Sequence, residues 1–156
     1  MSARKKKSPL FTIGYEQATS SAVLDELADA KVELLIDVRA VASSRRPGFS
    51  KRQLAAGLDA QGIGYLHLRG LGTPKEGRLA ARGGDFKALQ RIFEKHLKTP
   101  QAKEEMDELT SIVQSGRRVC LLCYERDAAH CHRRRVAEVV CERTGAKAEH
   151  LVPQMF

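Results

Sequence analysis

Short apolar runs and longer amphipathic segments alternate along this chain of 156 residues. The apolar runs lack a helical period, are rich in Val, Ile and Leu, and are typical of buried strands. These strands are predicted at 9–15, 32–39, 64–70, 118–124 and 148–152. Apolar residues that recur at helical spacing predict helices at 20–30, 50–62, 84–98, 100–116 and 131–145.

This alternation predicts an α/β fold. Strands that alternate with helices form right-handed βαβ units, and such units build a parallel sheet covered on both faces. We therefore expect a three-layer sandwich around a mainly parallel five-stranded sheet, similar to Rossmann folds. In open sheets of this kind, ligands bind outside the carboxyl ends of the strands, so function is expected at that edge.

The chain lacks an internal linker or repeat, and one α/β domain is predicted at 9–156. Residues 1–8 are expected to form a disordered basic tail. The formal net charge is +8, and four of these charges come from Arg4, Lys5, Lys6 and Lys7. The rest of the chain is therefore only mildly basic. The tail is interpreted as a solubilising arm, with non-specific contact to nucleic acid as the alternative.

The cysteines and the apolar runs bear on the compartment. The four cysteines lie within 22 residues, at 120, 123, 131 and 141, whereas a disulfide scaffold would spread them along the chain. No apolar run approaches the roughly 20 residues needed to cross a bilayer. The N-terminus lacks the long apolar segment of a secretory signal. We expect a cytoplasmic protein with reduced thiols and no membrane association.

Chemically capable side chains follow four of the predicted strands. They are Tyr15, Glu16, Asp37, Arg39, Arg69, Cys123, Tyr124 and Glu125. Because the carboxyl ends of parallel strands meet at one edge of a sheet, these side chains are expected to converge. The loop at 42–50, which carries Arg45 and Arg46, is expected to lie above them.

The segment at 123–135 concentrates two cysteines, two histidines, one glutamate and four arginines. Cys120 and Cys123 are spaced as in many zinc sites, but a strand sends these two side chains to opposite faces. Cys120 is therefore interpreted as a small buried residue. The remaining set for a metal would be Cys123, His130, Cys131 and His132. The favoured prediction is that no metal and no other cofactor is bound.

A nucleophilic thiol is the next interpretation of this segment. Cys123 lies where a strand gives way to a loop, with arginines that favour a thiolate and Glu125 that opposes it. If Asp127 caps the last long helix, Cys131 lies in its first turn, where the helix dipole stabilises an anion. Small packed residues at a strand end and a helix start remain the alternative for both cysteines.

The arginines near this edge predict an anion site. Arginines that converge beside a helix N-terminus suit a phosphate. The candidate anion-binding residues are Tyr15, Arg39, Arg45, Arg46, Arg69, Tyr124, Cys131 and Arg133, with the tyrosines available to stack on a base. Acid–base or nucleophilic chemistry is assigned to Glu125 together with Glu16, Cys123 or His132. The carboxylates are alternatively counter-ions for the arginines, and for Asp37, close to Arg39, this interpretation is favoured.

Five ordered motifs resemble a known family. They occupy 12–16, 35–39, 44–51, 65–76 and 121–138. Together they are similar to the bacterial domain-of-unknown-function 488 family over about residues 8–145. The resemblance implies an α/β domain without an established activity. It also implies a Cys-x-Glu…Cys-His-Arg signature, formed here by Cys123, Glu125, Cys131, His132 and Arg133.

A weaker likeness is to the rhodanese domain. The motif at 35–39 is similar to an early rhodanese strand, and Cys123 follows a late strand as the sulfur-carrying thiol does. The loop at 123–131 has no glycine and carries Tyr, Glu and Asp, unlike a persulfide cradle. This likeness therefore concerns the fold alone.

Three functions follow from these residues. The leading hypothesis is an enzyme that acts on a phosphate-bearing substrate, either a nucleotide or a nucleic acid. A nucleic-acid-binding module without catalysis is the first alternative. A thiol-dependent sulfurtransferase or redox protein is the second. The expected partner is an anionic small molecule or a nucleic acid, and the sequence leaves the oligomeric state open.

Overall fold

A computed structural model describes residues 8–156, so seven of the eight residues in the predicted basic tail lie outside the described residues. The described chain forms five strands, six α-helices and two 3₁₀ turns, at Arg69–Leu71 and Ala128–His130. The strands are β1 (Leu10–Gly14), β2 (Leu34–Asp37), β3 (Gly64–His67), β4 (Val119–Cys123) and β5 (Ala148–Leu151). The helices are α1 (Ser20–Asp29), α2 (Lys51–Ala60), α3 (Lys75–Arg82), α4 (Phe86–His96), α5 (Pro100–Gln114) and α6 (His132–Thr144).

The strands form one sheet in the order β3-β2-β4-β1-β5, and every neighbouring pair is parallel. Alternate residues of β4 face opposite sides of this sheet. Leu121 packs in a core cluster with α4, α5 and α6, while Cys120 and Leu122 pack in a second cluster with α1 and α2. The predicted three-layer α/β sandwich is confirmed, with a sheet that is parallel throughout.

Helix α3 is missing from the elements predicted from sequence. Its sequence has few apolar residues, and Leu79 is 53% exposed, so the helix lacks the apolar stripe that marks a buried face. It packs against α4 through Gly77, where a Cβ atom would lie 3.4 Å from Cγ2 of Ile92 and 3.5 Å from Cδ1 of Leu89. The helix borders the cavity described below.

The start of α6 also differs from the prediction. Asp127 caps the 3₁₀ turn at Ala128–His130, where its side chain accepts the N–H of Ala129. The N-cap of α6 is Cys131 itself. The helix therefore begins within one residue of the predicted range 131–145, but the expected N-cap at Asp127 is wrong, since the short turn takes up the intervening residues. Across residues 8–156, no helix, α6 included, combines the length and apolar character required to cross a membrane.

Candidate active site

A cavity of about 820 Å³ lies at the edge of the sheet where β1, β2 and β4 end. The residues that follow these strands form part of its lining, as the sequence predicted for this edge of the sheet. Helices α3 and α4 and the N-terminal end of α6 form the remaining wall. A volume of this size falls within the range of small-molecule sites, about 300–1,000 Å³.

Two thiols and one imidazole meet at the inner end of this cavity. Cys123 ends β4, Cys131 caps α6 and His132 begins that helix, and all three are buried. Nδ1 of His132 lies 3.6 Å from Sγ of Cys123 and 3.8 Å from Sγ of Cys131. The nearest potential ligand atoms of the three residues all lie within 4.8 Å of one another. We refer to these residues as the Cys–Cys–His cluster.

The imidazole of His132 is held in one orientation. Its Nε2 lies 2.7 Å from the carbonyl oxygen of Val38, to which it donates a hydrogen bond. A neutral imidazole with its proton on Nε2 carries a lone pair on Nδ1. Sγ of Cys123 lies 3.6 Å from Nδ1 and 3.9 Å from Nε2, so this sulfur lies beside the ring and not on the axis of that lone pair.

The thiolate of the pair is expected on Cys131. Burial acts to raise its pKa, but the hydrogen bond from Cys123 and the charge of His132 outweigh burial and lower the pKa well below its usual value. Its position as helix N-cap agrees with this, because the N–H of Arg133 lies 3.5 Å from Sγ of Cys131.

The pKa values of Cys123 and His132 shift in the opposite direction, upwards. The pKa of Cys123 is raised by its hydrogen bond to Cys131 and by burial. Burial acts to lower the pKa of His132, but the negative charge of Cys131 outweighs it and raises the pKa. The shared proton is therefore expected on Cys123, with the anion at the helix terminus.

Glu125 lies beside the Cys–Cys–His cluster. Its Oε2 is 3.5 Å from Sγ of Cys123. Burial and then the negative charge of Cys131 raise the pKa of Glu125 to about 7. The predicted catalytic residues Cys123, Glu125 and His132 are thus brought together.

Glu16 lines the same cavity in a supporting position. Its Oε1 accepts the backbone N–H of Arg126 at 3.0 Å, which ties the end of β1 to the loop after β4. The carboxylate therefore holds the loop that carries Glu125.

Arg133 lies below the loop that follows β4. It is not among the described residues that line the cavity. It is completely buried, and its Nε donates to Oγ1 of Thr12 at 3.1 Å. Its terminal nitrogens donate to the carbonyl oxygens of Glu125 and Arg126. In this position the guanidinium fixes the loop from below, so it is not offered to a ligand in the cavity.

Arg39 does line the cavity, although most of its donors are engaged. Its Nε and one terminal nitrogen bind the carboxylate of Asp37 at 2.9 and 2.7 Å. The other terminal nitrogen donates to the hydroxyl of Tyr15 and to the carbonyl of Phe49. Asp37 is therefore the counter-ion of Arg39, which was the favoured interpretation of this carboxylate from sequence.

The remaining predicted arginines are not among the described residues that line the cavity. Arg46 donates to the carbonyl of Tyr15 at 2.6 Å and to that of Ala18. Arg45 is exposed, and Arg69 is exposed in the 3₁₀ turn after β3. The loop at 42–50 therefore packs on the end of β1 instead of extending its arginines over the cavity.

The cavity wall instead carries Arg78 and Arg82 of α3, which sequence reasoning missed. Arg78 donates to the carbonyl of Thr73 at 3.0 Å. A signal was present in the chain, because Pro74 before the segment and Gly83 after it are typical of a helix start and end. The absence of an apolar stripe obscured that signal.

The two predicted tyrosines differ in what they offer. Tyr15 is buried and stacks on Phe49 with ring centroids 4.3 Å apart. Tyr124 is 44% exposed and meets Tyr15 edge-on at 5.3 Å. Tyr124 is therefore the ring available to a ligand in the cavity.

Comparison with known proteins places this site within a family profile. The profile described as "Domain of unknown function DUF488" matches residues 19–140, most of the chain. The match covers the Cys–Cys–His cluster, Glu125 and α3, and it confirms the resemblance drawn from the motifs. No curated protein and no solved structure matches the chain. The likeness to rhodanese domains stays a prediction.

Proposed function

The chain belongs to the DUF488 family, and from its cavity we propose that it is an enzyme acting on a phosphate-bearing substrate, either a nucleotide or a nucleic acid. One observation carries this proposal. The Cys–Cys–His cluster and Glu125 meet at the inner end of a cavity whose wall bears arginines. We place the enzyme in the cytoplasm, where thiols stay reduced.

The composition of the inner end of the cavity supports a chemical role. Apolar side chains would fill this position at lower energetic cost, because buried polar groups must be matched by partners. Here two thiols, an imidazole and a carboxyl face one another and border a space large enough for a substrate. Such convergence in a concave site is typical of reaction centres.

The wall on α3 supports recognition of phosphate. Arg78 and Arg82 are four residues apart on one helix and both border the cavity. The planar guanidinium suits the oxygens of a phosphate through paired hydrogen bonds. Glu16 and Asp127 also line the cavity, so we assign phosphate to the part bordered by α3. Tyr124 offers a ring on which a base can stack.

Turnover of a defined panel tests the proposal. The panel contains nucleoside mono- and triphosphates, a nitrophenyl phosphodiester, and short single-stranded DNA and RNA. Wild type is expected to convert at least one compound, and Cys131→Ser to lower the rate about 100-fold or more. Cys141→Ser is the matched control, since this thiol lies farther along α6 outside the cavity lining.

The outcomes separate the rival functions. Circular dichroism checks that both variants stay folded. If Cys131→Ser turns over the substrate at the wild-type rate, the Cys–Cys–His cluster is not the reaction centre. If the panel binds without conversion, and binding weakens steeply with salt, the non-catalytic nucleic-acid module is the better description.

One observation favours a thiol-redox or sulfurtransferase function as the second candidate. Sγ of Cys123 and Sγ of Cys131 lie within 4.8 Å in a single cluster, close enough for the two thiols to react with each other after small movements. Intact-mass spectra of protein purified without reductant provide the test. Loss of two hydrogens would indicate a disulfide, and gain of one sulfur atom would indicate a persulfide.

A further inference from the structure

We infer that Cys123, Cys131 and His132 bind one zinc ion through their two Sγ atoms and Nδ1, with a fourth position open to the cavity. This inference goes beyond the proposed function, and it opposes the prediction from sequence that no metal is bound. It is carried by the spacing of three atoms, by the contacts that orient them, and by the space beside them.

The two sulfur–nitrogen distances in the Cys–Cys–His cluster match those of a tetrahedral site. Zinc–sulfur bonds of about 2.3 Å and zinc–nitrogen bonds of about 2.0–2.1 Å place sulfur and nitrogen about 3.6 Å apart at tetrahedral angles. The corresponding atoms lie 3.6 Å apart for Cys123 and 3.8 Å apart for Cys131. Sγ of Cys123 also lies 3.9 Å from Nε2 of His132, so the imidazole must turn to direct Nδ1 at an ion held between the three side chains.

The surrounding contacts are those expected around metal ligands. Histidines that bind zinc through one ring nitrogen donate the other N–H to a carbonyl or carboxylate. Here Nε2 of His132 donates to the carbonyl of Val38 at 2.7 Å. The N–H of Arg133 lies 3.5 Å from Sγ of Cys131, where it supports a thiolate ligand. Soft sulfur and borderline nitrogen ligands favour zinc over magnesium or calcium.

The spacing of the cysteines along the chain does not predict which of them lie together in this cluster. Cys120, which forms the Cys-x-x-Cys pair with Cys123, packs in the core cluster on the other side of the sheet. The turn at Ala128–His130 brings Cys131 back beside Cys123. His130, a member of the metal set considered from sequence, is exposed and stacks on Phe86 at 4.1 Å.

The fourth position is consistent with a reactive site. Glu125 stands beside the trio, with Oε2 3.5 Å from Sγ of Cys123, and it is not part of the group whose ligand atoms all lie within 4.8 Å. Cys123, Cys131 and His132 all border the cavity, so water or a substrate atom can complete the tetrahedron there. Three protein ligands with an open fourth position are typical of catalytic zinc.

Metal content and cobalt spectroscopy test the inference without an activity assay. Protein is purified without chelator from zinc-supplemented cells, and metal is measured by plasma mass spectrometry. We expect one zinc per chain. After chelation, titration with Co²⁺ is expected to give the sulfur-to-metal and ligand-field absorption bands of a tetrahedral thiolate site. Cys131→Ser and His132→Asn should weaken metal binding by about tenfold or more, whereas Cys141→Ser should match wild type.

Each outcome has a defined meaning. Wild type that carries no zinc and shows no cobalt bands overturns the site, whether or not the variants fold. Equal metal affinity in folded Cys131→Ser and wild type also overturns it. Zinc without turnover of any phosphate-bearing compound leaves the site standing and refutes the proposed function. Turnover by wild type that carries no zinc and shows no cobalt bands leaves that function standing without the zinc site.

Discussion

Replacement of Arg133 by methionine should strongly destabilise the fold. The guanidinium is completely buried and donates to Thr12 and to the carbonyl oxygens of Glu125 and Arg126. Methionine fills much of the same space but donates no hydrogen bond. The two carbonyl oxygens would then face the interior without their donor.

The magnitude follows from these acceptors. A buried acceptor that loses its partner costs about 1–3 kcal/mol, and bonds from a charged donor lie at the upper end. The loss of hydrogen bonds to two carbonyls and one hydroxyl therefore predicts a decrease of roughly 3–5 kcal/mol in the free energy of unfolding. Burial of the apolar methionine recovers part of this decrease. Domains of this size are stable by about 5–15 kcal/mol, so the variant should remain folded in buffer.

Urea denaturation followed by circular dichroism measures this loss. The matched control is Arg134→Met on the next residue of α6, where Arg134 pairs with Glu138 at 3.4 Å on the surface. A surface pair of this kind contributes no more than about 1 kcal/mol. If both variants lose the same free energy of unfolding, or Arg133→Met loses less than about 1 kcal/mol, the support of the loop by Arg133 is refuted.

Three further predictions concern other parts of the molecule. Asp37→Asn leaves the charge of Arg39 buried without its counter-ion, and urea denaturation should show a loss of roughly 3–5 kcal/mol; unchanged stability would contradict the buried pair. Burial and then nearby arginines lower the pKa of His150, so the unfolded chain takes up its proton first. The free energy of unfolding should therefore fall as the pH drops below about 6.5, and this decline should be smaller in His150→Gln. An identical pH profile of stability in the variant and wild type would contradict the role of His150. Chelation should lower the melting temperature of zinc-loaded wild type and leave Cys131→Ser unchanged, because zinc binds the folded state; equal shifts would count against the site.

The sequence predicted those parts of the fold that a periodic apolar pattern records. All five strands and five of the six described helices follow from apolar runs or helical spacing, because β1 is buried along its whole length and the buried residues of α5 recur once per turn. Helix α3 buries little more than Gly77, so it leaves no such pattern. Its arginines were missed for the same reason.

The sequence indicated the edge of the sheet at which the cavity lies, but not the contacts of the residues around it. Strand ends indicated the correct edge of the sheet, since parallel strands present their carboxyl ends together. Arg46 and the terminal nitrogens of Arg133 donate to backbone carbonyls. Every residue has such a carbonyl, so no sequence pattern identifies the one that an arginine will contact. The approach of Cys131 to Cys123 depends on a 3₁₀ turn, and a three-residue turn lacks a recognisable period.

The most direct test of an active site for phosphate-bearing substrates compares kcat/KM for the compound converted fastest with that for the same compound without its phosphate. Wild type should prefer the phosphate form by about tenfold or more, which corresponds to about 1.4 kcal/mol. The double variant Arg78→Gln, Arg82→Gln should lose most of this preference, while Arg134→Gln should retain it. A wild type without the preference, or a double variant that keeps it in full, would contradict phosphate recognition in this cavity.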